Sequence, residues 1–169
     1  MEKYRAILKQ QEERFTSARC ADINLQQHGL LCQQLQYTDD SEVLYLAKPN
    51  WTNRFDPNRE STIGIFFALW VSPALVRQKQ FAYTIHSKKL RKLPGYKLAS
   101  RQFADEFRLA IKSRVAHWPG ISLDFGPLTL LEGHDTCSEA SFAQKVEQRV
   151  IDFIGIHNEI DRLLDVAAC

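Results

Sequence analysis

The stretch Thr62–Ser72, TIGIFFALWVS, decides the fold. It is rich in β-branched and aromatic residues and apolar on both faces, which predicts a central strand covered on both sides. Pro73 punctuates the chain after it. The run Gln80–His86, QFAYTIH, has the same character and predicts a second strand that returns beside the first in a hairpin.

Upstream of this hairpin, the pattern predicts a helix, a turn and at least one further strand. Glu42–Lys48 (EVLYLAK) is predicted as a short strand, and the preceding Thr38–Ser41 (TDDS) as a turn. Leu30–Tyr37 fits either a helix or a strand. At the N-terminus, helical spacing places four apolar residues on one face: Tyr4, Leu8, Phe15 and Ala18.

Downstream, Ser100 is predicted to cap a helix that ends before Pro119-Gly120, with Phe103, Phe107, Ile111 and Val115 at four-residue spacing. Alternation over Ile121–Phe125 predicts a strand, which Leu128–Leu131 can extend. Thr136 and Glu139 have the spacing of a capping box. They are predicted to open a long helix with one apolar stripe: Phe142, Val146, Val150, Phe153, Ile156, Ile160 and Leu163.

This order of elements predicts an α+β domain with an antiparallel sheet of about four to five strands, helices packed over it and a long C-terminal helix. The length of 169 residues suits one domain, 1–169, and 18 aromatic residues argue against disorder.

The N-terminus is charged from Glu2 and lacks the apolar core of a signal peptide. The longest apolar run, Ile63–Val71, has nine residues, whereas a membrane-spanning helix needs about 20. The four cysteines are far apart and form no CxxC, which favours free thiols. We therefore expect a cytoplasmic protein with no membrane partner, no metal and no cofactor.

Common catalytic motifs are absent from the sequence, including GxGxxG, the phosphate-binding loop, HExxH and GxSxG. One cluster before the last helix, Glu132–Cys137, combines His134, Asp135 and Cys137. These residue types can ligate a metal or form a Cys/His pair, but Asp and Thr near a helix start are ordinary capping residues. We favour capping, and therefore a protein that is not an enzyme.

Charge is distributed unevenly along the chain. Residues 77–114 hold eleven Lys or Arg and two acidic residues, a net charge of +9 within a chain of net charge +2. The residues after Arg114 carry nine acidic and three basic side chains. The densest basic part is the segment 88–97, hereafter the basic segment, whose cations are Lys88, Lys89, Arg91, Lys92 and Lys97.

The basic segment predicts a non-enzymatic binding or adaptor protein with an acidic partner, either nucleic acid or protein. The long loop that follows the 42–48 strand is a second candidate element, because its aromatic and guanidinium groups can grip a flat ring or a peptide: Trp51, Arg54, Phe55 and Arg59. Alternatively, Trp51 and Phe55 fold inward and fix the loop to the sheet.

Two further hypotheses come from other classes of protein. The first is a homodimeric structural or interaction protein, built through the long C-terminal helix or the strand 62–72, whose second apolar face a partner subunit would cover. The second is a small-molecule enzyme with its site near His134 and Asp135 or at His86, and with the aromatic loop as a lid.

Overall fold

The computed structural model describes residues 1–17 and 23–169 of the chain. It contains a five-stranded antiparallel sheet in which every strand lies beside its sequence neighbours, in the order β1-β2-β3-β4-β5. The strands are β1 (Leu31–Gln36), β2 (Glu42–Ala47), β3 (Gly64–Val71), β4 (Gln80–Lys88) and β5 (Thr129–Thr136). The helices are α1 (Glu2–Thr16), α2 (Pro73–Arg77), α3 (Ser100–Val115), α4 (Glu139–Ile156) and α5 (Asn158–Val166). The predicted α+β class is confirmed.

Helix α1 forms because its apolar residues recur once per turn, so that one face can be buried. Tyr4, Leu8 and Phe15 are buried as predicted, and the Tyr4 ring lies edge-on to Phe142 of α4, with 4.9 Å between centroids. Ala18, predicted on the same face, and Cys20 lie outside the described residues. The segment Leu30–Tyr37, which fits either a helix or a strand in sequence, forms strand β1. In the predicted turn after it, the Tyr37 N–H donates to the Ser41 carbonyl.

Strand β3 is the centre of the sheet and pairs with both β2 and β4, which confirms the predicted hairpin. Alternate residues point to opposite faces. One face packs against the long helices, where the Phe67 ring stacks on Phe153 of α4 with centroids 4.7 Å apart. The other face carries Phe66, Ala68 and Trp70, and Trp70 is 43% exposed. The prediction of cover on both sides is therefore confirmed for seven of the eight β3 residues, and Trp70 is the exception.

The strand predicted at Ile121–Phe125 is wrong, although its predicted extension, Leu128–Leu131, lies largely within a strand. Within the described chain this segment contributes only an isolated bridge from Ser122 to Glu132. The fifth strand is β5, which includes most of the Glu132–Cys137 cluster. Gly133 permits this pairing, because a Cβ there would overlap the Tyr83 ring on β4.

The prediction of the long C-terminal helix is more accurate for its buried stripe than for the residue at which the helix begins. All seven residues of the predicted apolar stripe are buried. The helix begins after Ser138, which forms a capping box with Ser141, and not at Thr136. It is bent where α4 gives way to α5 at His157. Similarly, Ser100 is the first residue of α3, and the N-cap is Ala99, without a side-chain cap.

Within residues 1–17 and 23–169, no helix combines the length and apolar character needed to cross a bilayer.

Candidate ligand-binding cavity

The sheet face that carries Trp70, hereafter the half-open face, bears a cavity of about 540 Å³. This volume lies within the range of small-molecule sites, which is roughly 300 to 1,000 Å³. We call it the sheet-face cavity. Its walls are aromatic, and its polar lining combines hydroxyl groups, two cations and one carboxylate, Asp39. The lining also includes Tyr37, Tyr45, Arg54, Phe66, Trp70, His86 and Lys88.

The strand register explains why these residues meet. On β3 the outward-facing positions are Phe66, Ala68 and Trp70, and Ala68 pairs with Tyr45 of β2 on one side. On the other side Phe66 pairs with His86 of β4. Because side chains alternate along each strand, these residues share one face of three neighbouring strands. Most core-facing residues of the same strands are apolar, so the register cannot slip by one residue without exposing them.

Arg54 enters the cavity from the 48–63 loop. The loop is held by Asn53, whose side chain accepts from the Ile63 N–H (2.7 Å) and donates to the Ser61 carbonyl (2.9 Å). The Arg54 guanidinium lies 3.3 Å from the centroid of the Tyr45 ring. This contact is a cation–π interaction, which also fixes the plane of the guanidinium.

The charge of Arg54 is not compensated by a carboxylate. Its side chain is only 5% exposed, and it donates to two neutral hydroxyls, those of Tyr37 (3.0 Å) and Thr62 (3.3 Å). Its Nε has no hydrogen-bond partner, and no acidic residue in the described part of the chain forms an ion pair with it. A buried charge without a counter-charge is costly. Arg54 is therefore a buried cation that lacks a counter-charge among the described residues.

Lys88 and His86 also line the cavity, and of these two only Lys88 adds positive charge. Lys88 Nζ lies 5.8 Å from the Phe66 ring centroid, at the exposed end of β4. Burial lowers the pKa of His86 to about 4, and the nearby charges of Lys88 and Arg54 add to this effect. His86 is therefore neutral at pH 7 and can donate or accept a hydrogen bond, while Arg54 and Lys88 supply the positive charge.

The 48–63 loop and the basic segment, both predicted as binding elements, lie next to each other. Asn50 Nδ2 donates to the Tyr96 hydroxyl at 3.2 Å, and Gly64, at the end of the loop, pairs with Lys88. The loop contributes Arg54 to the cavity and the basic segment contributes Lys88. No pattern in the sequence indicates that these two elements meet.

Of the four loop residues that were predicted to bind a ligand, Trp51, Phe55 and Arg59 do not line the cavity. Trp51 is fully buried and its Nε1–H donates to Asp161 at 2.8 Å. Phe55 packs against the core, and Arg59 is half-buried and donates to the Asp56 carbonyl. The aromatic residues thus pin the loop, whereas Arg54 is directed to the open face.

All five cations of the basic segment are exposed. Leu90 and Leu93 are buried between them and anchor the segment to the body of the protein. None of the five cations forms a salt bridge with a residue that the structure describes. The basic segment therefore presents its charge to solvent.

His134 and Asp135 do not form a joint site, because they point to opposite faces of β5. Asp135 is buried and paired with Lys145 (2.8 Å) and Arg149 (3.7 Å). His134 lies on the half-open face. Burial raises the pKa of the Cys137 thiol, so this cysteine is not activated. Among the described residues, no three His, Cys, Asp or Glu side chains are arranged to hold a metal ion.

Sequence reasoning missed most of the sheet-face cavity. Tyr45, Phe66, Trp70 and His86 are strand residues whose shared face depends on the strand order. The signal for this cavity in the sequence was that Thr62–Ser72 is apolar on both faces, so that its second face needs a cover of its own.

Comparison with family models, with curated proteins and with solved structures finds no match to this chain. The class of protein that the fold and the cavity define is an α+β domain with an aromatic cavity, lined by Arg54 and Lys88, on the half-open face of its sheet.

Proposed function

We propose that this chain is a non-enzymatic binding protein that captures an anionic ligand in the sheet-face cavity, with Arg54 as the main anchor. The observation that supports this most strongly is the buried guanidinium without a carboxylate partner. A carboxylate or phosphate on the ligand would supply the missing counter-charge.

The other lining residues suit a ligand with a flat apolar part. Trp70 is 43% exposed and stands beside the small residues Ala68 and Ser72, so a ring can lie against its indole. Lys88 adds a second cation at the mouth of the cavity. The anionic group would lie between Arg54 and Lys88, and the apolar part on Trp70.

The first test is a titration of the protein with naphthalene-2-carboxylate and, separately, with its uncharged amide. Binding is monitored through the NMR signal of the Trp70 indole N–H. We expect the carboxylate to bind at least 10-fold more tightly than the amide. Arg54→Met should weaken carboxylate binding about 10- to 100-fold, the range expected when a charge-assisted hydrogen bond is lost.

The matched control is Arg59→Met, which removes a guanidinium from the same loop but outside the cavity. It should leave binding unchanged. Equal binding by Arg54→Met and the parent protein, or equal binding of the carboxylate and the amide, would contradict the proposal.

A second candidate function is binding of an extended polyanion such as single-stranded nucleic acid. The exposure of all five cations of the basic segment favours it. Phosphates would lie along the segment, and Lys88 would connect it to the cavity, where Trp70 or Tyr37 can stack on a base.

For this candidate we expect a labelled single-stranded oligonucleotide to bind with an affinity that falls log-linearly with salt. Combined Lys89→Glu, Arg91→Glu and Lys92→Glu changes should abolish binding, as fluorescence anisotropy would show. The melting temperature should change little, because these side chains are exposed.

Reversing three exposed cations elsewhere, Arg77, Arg101 and Lys112, controls for net charge. An equal loss in that control would show that only net charge matters.

The homodimer and the acidic protein partner stay predictions. A second copy that covered β3 would occupy the sheet-face cavity, so light scattering with and without naphthalene-2-carboxylate tests both uses of this face.

A further inference from the structure

A second, smaller cavity of about 150 Å³ adjoins the sheet-face cavity and shares Trp70 and Ser72 with it. Its lining includes Glu132 and His134, which face outward from β5. The Glu132 side chain is half-buried, yet its carboxylate has no hydrogen bond or ion pair with any residue in the described ranges. The half-open face therefore holds an unpaired anion as well as an unpaired cation.

The strand register places these two charges at opposite ends of one row across the sheet. Tyr45 pairs with Ala68, Ala68 with Thr84, and Thr84 with Glu132. Arg54 lies over Tyr45 at the first end of this row. Three strand spacings separate the ends, which corresponds to about 14 Å.

The middle of the row is low, because Ala68 and Thr84 have small side chains. Larger residues flank it on either side, with Trp70 in one neighbouring row and the Phe66–His86 pair in the other. Ala68 lines the sheet-face cavity and Thr84 lines the smaller one, so this row crosses both cavities, from Arg54 at one end to Glu132 at the other.

We infer that the ligand of this face is a short peptide with free termini, its carboxylate at Arg54 and its terminal ammonium at Glu132. This inference rests on the proposed function, because it uses the same anion site. An extended chain spans about 3.3–3.6 Å per residue, so about four residues bridge the two ends. A purely anionic ligand would leave Glu132 unpaired and would be repelled by it, whereas a dipolar ligand satisfies both charges.

The test uses the tetrapeptide Ala-Phe-Ala-Ala in three forms, with free termini, with an acetylated N-terminus and with an amidated C-terminus. Binding is followed at the Trp70 indole N–H. The indoles of Trp51 and Trp118 are buried and serve as internal references. We expect the free peptide to bind at least 10-fold more tightly than either blocked form.

Glu132→Gln should remove the preference for the free over the acetylated peptide and keep the preference for the free over the amidated one. Glu13→Gln, an exposed acidic residue on α1, should change neither preference. This pattern assigns the ammonium to Glu132 and does not depend on the absolute affinity.

Three results would overturn the inference: equal binding of the free and acetylated peptides, an unchanged preference in Glu132→Gln, or no binding of any of the three peptides. In each of them, binding of naphthalene-2-carboxylate that depends on Arg54 would leave the proposed function standing. If that ligand also failed to bind, the proposed function would fall as well.

Discussion

Gly64→Ala is expected to lower the free energy of unfolding by about 3–5 kcal/mol, through backbone strain and overpacking together. Gly64 has a φ of +108° at the first position of β3. An added Cβ would overlap the Trp51 carbonyl oxygen and lie 2.6 Å from the Thr52 Cα. Backbone atoms cannot rotate away as a flexible side chain can. The 48–63 loop would therefore have to move, and Arg54 with it, so ligand binding should also be lost.

Chemical denaturation measures the change in stability, and Gly95→Ala is the matched control. Gly95 has a similar φ of +86°, but a Cβ there would meet no atom within 4 Å. This control isolates the conformational cost, which is about 1–2 kcal/mol. If both variants lost the same stability, the close approach of the loop to β3 would not be the reason for the glycine.

The second large effect is expected for Trp51→Ala, which should cost about 3–5 kcal/mol, as other deletions of large buried aromatics do. Trp51 is fully buried and packs edge-on against Phe153, with centroids 6.4 Å apart. Its hydrogen bond to Asp161 would also be lost, and Asp161 would keep only its ion pair with Lys48 (2.6 Å). Thermal and chemical denaturation would both show the loss.

Trp70→Ala is the matched variant for this prediction. Trp70 is the same residue type, but it is 43% exposed on the half-open face. Its removal should change stability by about 1 kcal/mol or less, because exposed positions contribute little. It should strongly reduce binding of naphthalene-2-carboxylate. If Trp51→Ala left stability unchanged, the loop would not be pinned by this residue.

The central hairpin could be predicted because local composition and tertiary position agree there. The β-branched and aromatic residues of Thr62–Ser72 favour a strand, and the strand lies at the centre of the sheet. The buried stripe of α4 and α5 was predictable for the same reason. In both cases the pattern of one segment carries the information.

The second half of strand β5, from Glu132 onward, was missed because its polar residues conceal its alternation. Asp135 faces the helices, where an apolar residue is expected, and its charge is balanced by Lys145 and Arg149 of α4. Gly133 replaces a core side chain because the Tyr83 ring takes that space. Neither compensation can be recognised from the segment itself, since the partners are on other elements.

The sheet-face cavity could not be predicted for a related reason. Its aromatic residues were visible as strand residues, but their common wall requires the order of the strands. The position of Arg54 requires the 48–63 loop to fold back over Tyr45. The sequence showed a loop with two arginines and gave no reason to choose Arg54 over Arg59.

The packing of α1 against α4 has a consequence for how the protein is made. The two helices are far apart in the chain, yet the Tyr4 ring contacts Phe142, and Arg14 forms an ion pair with Glu147. During synthesis the ribosome releases α1 and the first four strands long before α4 exists. Until α4 emerges, the apolar face of this nascent sheet lacks the cover that α4 provides. We therefore expect a chain truncated before α4 to expose this apolar face and to aggregate.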